Sequence, residues 1–313
     1  MFLGLDLGTS GLKALLVDGE QRTIATTTIP LTVQRPNPGW SEQDPAAWWD
    51  ACLAAIDTLH RDHPKELAAT QAIGLAGQMH GAVLLAADGH PLRSAILWND
   101  TRAQAECAAL EAALPNLRQI TGNIAMPGFT APKLLWLRTH EPDLFARLHT
   151  VLLPKAYLRH RLAGELIEDM SDAAGTLWLD TGARDWSDAA LAATGLARRH
   201  MPALVEGNAP AGTLKRDLAA RWNMKTPSSP AAPETTPPAP SASAPSDSAT
   251  PSSPSAPPAS SSPPPQASAP GPKKPSTPSA TPSPTSGTRW ASPSPPPPRS
   301  PGGPPSPTTP KPS

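Results

Sequence analysis

The chain has 313 residues, with 26 Lys and Arg against 26 Asp and Glu, so its formal net charge is zero. That balance gives no electrostatic footprint for nucleic acid or an anionic membrane surface. Whole-chain averages mix two unlike parts: 31 of the 44 prolines follow Lys225, and Ser228–Ser313 contains no Val, Ile, Leu, Met, Phe or Tyr, with Trp290 its only large apolar residue.

The second part, 228–313, has too little apolar surface to offset its ordering entropy. It is expected to be disordered, with local polyproline II character. Residues 1–227 carry regularly spaced Leu, Ile, Val, Ala and Trp, enough for one sizeable domain. Cys52 and Cys107 lack metal or redox spacing and read as buried thiols of a reducing compartment. The opening "MFLGLDLG" has no basic region, and Asp6 breaks its apolar run, which argues against a signal peptide. No stretch supplies the roughly 20 apolar residues of a membrane helix. The expected location is the cytoplasm.

In chain order, Phe2–Leu7 reads as a buried strand, Gly8–Gly11 ("GTSG") as a turn and Leu12–Val17 as a second strand. Asp18-Gly19 predicts a hairpin turn into a third strand over Thr23–Leu31. A helix then begins with Asp44 as N-cap and Pro45 at its first position, where the missing N–H costs nothing. Trp49, Cys52, Ile56 and Leu59 fall on one face of it. Further strands are expected at Ala72–Ala76, Ala82–Leu85 and Ala95–Trp98. Further helices are expected at Ala103–Leu114, Pro132–Leu137, Lys155–Leu162 and Asp188–Ala193. The order predicts an α/β protein with a mixed sheet and flanking helices.

Several strand ends carry polar residues. In "GLDLGTSGLKALLVD" (4–18), a strand ends at Asp6 and Leu7 and meets a turn of small residues. Such a turn aims several N–H groups at one point, an anion nest, and Asp6 beside it suits Mg²⁺ held through water. The plainer reading is a polar hairpin. In "GLAGQMHGAVLL" (74–85), a strand delivers Gln78, Met79 and His80 to its tip, where ligands of open α/β sheets sit. Taken alone, that stretch reads as a core Met and a satisfied loop His. "ILWNDTRAQ" (96–104) ends in Asn99 and Asp100, the latter also a plausible cap for the next helix. "TGNIAMPGFTAPKLLWL" (121–137) offers Lys133 and Trp136. Ser171-Asp172 and Gly175-Thr176 in "DMSDAAGTLWLD" face a cleft or form a cap and a turn.

Together these stretches resemble the FGGY carbohydrate kinases, whose pattern G-x-T-x-x-K-L-x-W stands at Gly128, Thr130, Lys133, Leu134 and Trp136. An ordered set of motifs is more specific than any one of them. The resemblance covers residues 1–227 and implies a ribonuclease-H-like (actin/Hsp70/hexokinase) fold. It implies ATP and Mg²⁺ as cofactors, with Gly8, Thr9 and Ser10 touching ATP phosphates, Lys13 a further phosphate candidate and Asp6 organising Mg²⁺ through water. It places Met79 and His80 against a ketose, with Gln78, Asp100 and Lys133 as further cleft candidates. The implied partner is a small sugar, and the implied reaction is transfer from ATP to D-xylulose, giving D-xylulose 5-phosphate. Ribulose, gluconate and fuculose kinases share the scaffold. Nothing in the sequence speaks to oligomeric state.

The family's general base is an Asp in a "GGGDNAA"-like stretch, expected just after "RWNMKTP" and absent from the 313 residues. The Pro, Ala, Ser and Thr that follow share codons with C in the second place, the product expected when third bases of a GC-rich gene are read as second bases. Read one base out of frame, Ser228–Pro245 permits "VVAGGAGDNAASAVGVGA", and Ser253–Ala259 permits "SLGTSGV". The expectation is that the catalytic Asp and the second domain are lost beyond Pro227 by a frame change. The rival expectations are a genuine Pro/Ser-rich linker or ligand, and a non-catalytic sugar-binding fragment.

Overall fold

The structure is a computed structural model that describes residues 1–225. The disorder expected of 228–313 lies outside the described residues.

Three strands, β1 (Phe2–Leu7), β2 (Gly11–Val17) and β3 (Thr23–Pro30), form an antiparallel meander. The two-residue strand β4 (Glu42–Gln43) precedes helix α1 (Pro45–Asp62), and a short helix α2 (Pro64–Ala68) leads into β5 (Ala72–Gly77). β5 pairs parallel with β1, giving a mixed sheet in the order β3-β2-β1-β5. Period-two alternation sends Leu3, Leu5 and Leu7 of β1 and Leu12, Ala14 and Leu16 of β2 to one face, where α1 covers them. Asp6 and Lys13 are cross-strand partners on the opposite, exposed face.

Helix α1 starts as its sequence dictates: Asp44 accepts a hydrogen bond from Ala46 N at 2.9 Å, and Pro45 occupies the first turn. Its inward indole is Trp48, whereas Trp49 is only half-buried. Trp48 Nε1 donates to Gln43 Oε1 (3.0 Å), and the ring meets Tyr157 edge-on at 6.3 Å. Trp49 instead takes the Arg161 guanidinium over its face at 4.6 Å. The β2–β3 connection also differs from the expected two-residue turn. Asp18 accepts from the N–H groups of Glu20 and Arg22, and Gln21, not Gly19, adopts positive φ (63°).

The rest of the described chain builds a second core. Strands β6 (Val83–Leu85) and β7 (Ala95–Ile96) lead to helices α3 (Gln104–Ala113), α4 (Leu117–Thr121), α5 (Thr130–His140) and α6 (Pro142–Ala146). Then come β8 (Thr150–Leu152), α7 (Pro154–Ala163), β9 (Ile167–Asp169) and α8 (Met170–Ala174). Leu84, Ile96, Leu110, Leu134, Leu137, Trp178 and Leu191 bury against one another there, while α7 adds Tyr157, Leu158 and Leu162 to the first core. α5 begins two residues before the expected start at Pro132, because a proline in the first turn needs no N–H partner. Cys52 and Cys107 are buried free thiols. No helix among the described residues is long and apolar enough to cross a membrane.

Leu5 is 1% exposed at the centre of the first core. Leu5→Ala is expected to lower unfolding free energy by about 2–5 kcal/mol, measured by urea titration. A loss below about 0.5 kcal/mol would contradict the packing described.

Candidate functional site

Parallel pairing of β1 and β5 brings their C-terminal ends together, with Leu7 opposite Gly77. The turn after one strand and the loop after the other therefore emerge side by side, and Gln78 N donates to Leu7 O at 2.7 Å. In the turn, Gly8 N bonds Gly11 O (3.0 Å), and Ser10 O accepts from Leu31 N (3.0 Å). The N–H groups of Thr9 and Ser10 donate to nothing among the described residues. Uncommitted N–H groups in a tight turn are what an anion requires. The exposed Asp6 carboxylate at the strand end is a hard oxygen donor, the ligand type that suits Mg²⁺. These residues fit a magnesium–nucleotide phosphate group.

Thr9 ties this turn to the neighbouring loop. Its Oγ1 donates to Gln78 Oε1 (3.1 Å) and accepts from Trp98 Nε1 (3.0 Å). Gln78 Nε2 donates to Gln43 Oε1 (3.0 Å), whose own Nε2 donates to Thr9 O (2.8 Å). Gln78 is thus a buried connector with its amide engaged inside the protein. Met79 and Trp98 are 47% and 44% exposed and form an apolar rim.

His80 sits in the left-handed region, at φ 62°, which costs a non-glycine residue free energy unless neighbours enforce it. Its carbonyl accepts from Lys133 Nζ (2.8 Å) and Thr130 Oγ1 (3.2 Å), both on α5. Its ring packs on Phe129 at 4.4 Å, and Nδ1 lies 2.8 Å from Gly175 O. A carbonyl only accepts, so the geometry assigns the proton to Nδ1 and leaves Nε2 as an acceptor. Burial, then the nearby Lys133 charge, lowers the His80 pKa to about 4, so the ring is neutral at pH 7.

Lys133 is fully buried, and its ammonium also donates to Gly128 O at 2.8 Å. Burial pushes its pKa down to about 7. Gly128 is held so close to Trp98 O that a β-carbon there would collide with it. Lys133 therefore acts from beneath the surface, holding two loops.

Asp100 also faces inward, at 1% exposure. It accepts from Ser41 N (2.6 Å) and from Arg102 through N, Nε and Nη2. Arg102 pairs further with Glu42, which pairs with Arg93 and through it with Glu141, and its guanidinium stacks on Trp40 at 3.6 Å. Asp100 does not cap α3, whose N-cap residue is Ala103. It anchors a buried charge network below the loops. Asp169 caps α8 by accepting from Asp172 N and Ser171 Oγ, while Gly175 faces His80.

The structure thus joins Gly8–Ser10 with Gln78, and His80 with Lys133, and keeps Asp100 below them. Sequence reasoning passed over Trp98, Gln43 and Phe129. Gln43 lies in "WSEQDP" (40–45), and its partners in the site, Thr9 and Gln78, are remote in sequence. A cavity of about 1220 Å³ lies elsewhere, along β5 and the outer strand face, lined by Gly4, Leu15, Gly74, Lys155 and Arg159. Of the residues singled out from the sequence, Ser171 lines it, and none of the phosphate-loop or sugar candidates does.

Residues 1–235 match the FGGY family of carbohydrate kinases, N-terminal domain. The chain is 54% identical over 226 residues to a xylulose kinase of Escherichia coli (strain K12), covering 72% of this chain and 46% of that protein. It is 38% identical to a xylulose kinase of Bacillus subtilis (strain 168), covering 70% and 44%. Among solved structures, a xyloylose kinase from Brucella ovis superposes with TM-score 0.70 at 59% identity, covering 71% of this chain and 46% of that one. A xylulose kinase from Rhodospirillum rubrum gives TM-score 0.69 at 28% identity, covering 72% and 46%. The mixed sheet with its helices is the fold of these sugar-kinase neighbours, and the chain spans about half the length of the curated relatives it matches.

A β-carbon at Gly175 would lie 2.5 Å from His80 Cε1. Gly175→Ala is expected to displace the ring toward water and raise its NMR titration midpoint from about 4 toward the ordinary value of about 6.5. An unchanged midpoint would contradict the packing. Lys133, held near 7 when folded and near 10.4 when unfolded, binds more protons in the unfolded chain between those values. It therefore adds stability as pH rises from about 7 to about 10.4. The stability difference between wild type and Lys133→Met is expected to grow over that window in urea titrations, and a flat difference would contradict the assignment.

Proposed function

Since the chain belongs to the FGGY family of carbohydrate kinases, we propose that residues 1–227 are a sugar-binding domain carrying the first phosphate loop, and that its ligand is a ketose, D-xylulose. The observation that carries this reading is the locked His80: a neutral ring with Nδ1–H held by Gly175 O and Nε2 free to accept from a sugar hydroxyl. Met79 supplies the apolar wall beside it. Relatives named xylulose kinase favour D-xylulose over ribulose, gluconate or fuculose.

The phosphates of ATP are assigned to Gly8, Thr9 and Ser10, with Lys13 as an outer cation and Asp6 holding Mg²⁺ through water. Bound there, the metal would neutralise phosphate charge. Residues of this chain would position the nucleotide through backbone N–H groups, with Thr9 fixed by Gln78 and Trp98. Phosphoryl transfer also needs a base for the attacking hydroxyl. The 313 residues hold no "GDNAA" stretch to provide it. We infer that 228–313 is out-of-frame translation of the second domain, and that the chain binds sugar without transferring phosphate. A base restored near the Pro227 codon, read from source DNA across the codons for Arg221–Pro245, is the expected result. A confirmed frame would overturn that inference and leave a genuine Pro/Ser-rich segment.

Thermal unfolding tests the binding assignment. D-xylulose at a hundredfold excess over its dissociation constant is expected to stabilise the chain by about 2.7 kcal/mol, with little response to Mg-ATP. A strong Mg-ATP response without a sugar response would reverse the proposal.

A further inference from the structure

Beneath the His80 loop, charged side chains from three elements meet: Lys155 and Arg159 of α7, Glu168 and Asp169 of β9, and Asp172 of α8. One carboxylate oxygen from each of Glu168, Asp169 and Asp172 lies within 4.8 Å of the others. Lys155 Nζ is 2.5 Å from Asp169 Oδ2 and 3.2 Å from Asp172 Oδ2, so an ammonium already fills the place a cation would take. Arg159 Nη2 stands 3.8 Å from Asp169 Oδ2. The strand paired with β9 (Ala203–Val205) adds no charge, and Val151, Leu153, Trp178 and Met201 wall Glu168 from the other side.

Three carboxylates therefore face two cations, and full ionisation would bury a net charge of −1. Burying an uncompensated charge is costly, and a proton removes it. Two atoms mark where that proton belongs. Glu168 Oε2 is buried without a hydrogen-bond partner and Asp172 Oδ2 has only the Lys155 ammonium at 3.2 Å, although Glu168 Oε1 accepts from Asp169 N at 3.1 Å. Glu168 is 1% exposed, so water does not reach it.

We propose that Glu168 and Asp172 hold one proton between them, and that this clasp, which leaves the cluster neutral, positions α8 so that Gly175 O meets His80 Nδ1. The connection is short. Asp172 O accepts from Gly175 N at 3.0 Å, and Gly175 O bonds the His80 ring at 2.8 Å. Glu168 and Asp172 are positioning residues that touch neither sugar nor phosphate. Loss of the proton sets two anionic oxygens against each other, moves the first turn of α8 and draws Gly175 O away from the ring. Burial, then the Asp172 charge, pushes Glu168 up to about 8, and burial also raises Asp172. The steps belong to the pair, not to either residue. Its consequence for sugar binding rests on the assignment of His80 made above.

The test uses the full chain labelled with carboxyl-¹³C glutamate, with Glu168→Gln identifying the Glu168 signal. The expected midpoint is about 8, against about 4.3 for an ordinary glutamate. The His80 ring signals are expected to shift in the same step and to lose that shift in Glu168→Gln. Stability should follow. A carboxyl raised in the folded chain stabilises it fully below about 4.3 and loses that contribution as pH rises to about 8. The wild-type minus Glu168→Gln difference should fall across that window. A Glu168 midpoint near 4.3, or His80 signals indifferent to the step, overturns the proposal. A clasp that titrates near 8 and moves His80, in a chain that binds no D-xylulose at any pH, upholds the clasp and sinks the sugar assignment instead.

Discussion

A buried ammonium, Lys133 Nζ, donates to the carbonyls of His80 and Gly128 at 2.8 Å each, and the geometry of the site follows from those two bonds. They hold His80 in a left-handed backbone conformation that its own side chain disfavours. They also tie the loop after β5 to the loop before α5. With the backbone fixed, the ring has one accessible partner, Gly175 O, and its tautomer is set. Lys133 bears a burial penalty large enough to bring its pKa to about 7. That cost persists because removing the side chain would leave Gly128 O without its donor, at roughly 1–3 kcal/mol, and His80 O with Thr130 Oγ1 alone.

Beneath the loops lie two charge networks, each of three carboxylates and two cations; Glu141 of the first keeps 30% of its side chain exposed, whereas Glu168 of the second is 1% exposed. Around Asp100 and Arg102, both carboxylate oxygens are satisfied and the guanidinium is sandwiched against Trp40. That network fixes how the "WSEQDP" stretch meets the "NDTR" stretch. Around Asp172 the charges do not balance without a proton. The first network is a rigid base, whereas the second responds to pH and lies one short helix away from His80.

Local chemistry made some elements legible in the sequence. The Asp44-Pro45 cap, the helix at Asp188–Ala193 and the strand ending at Asp6-Leu7 need only neighbours in sequence. Trp48 and Trp49 illustrate the limit. Adjacent residues on a helix are about 100° apart; the apolar spacing points to Trp49, whereas Gln43 and Tyr157 turn Trp48 inward instead. Three-residue strands such as β8 and β9 have too few residues to show a period. The site residues were named from motif order, but their roles came from remote partners. Asp100 reads locally as a cap, and Ser41 N, far upstream, together with the Arg102 guanidinium turns it inward. His80 reads as a loop histidine until Lys133 and Gly175 meet it.

The most direct test of this account is a crystal structure of the chain grown with D-xylulose. The account predicts the sugar over Met79, with one hydroxyl donating to His80 Nε2 and the Nδ1–Gly175 O bond intact. A sugar bound elsewhere, or a His80 ring swung away from Gly175 in the complex, would contradict it.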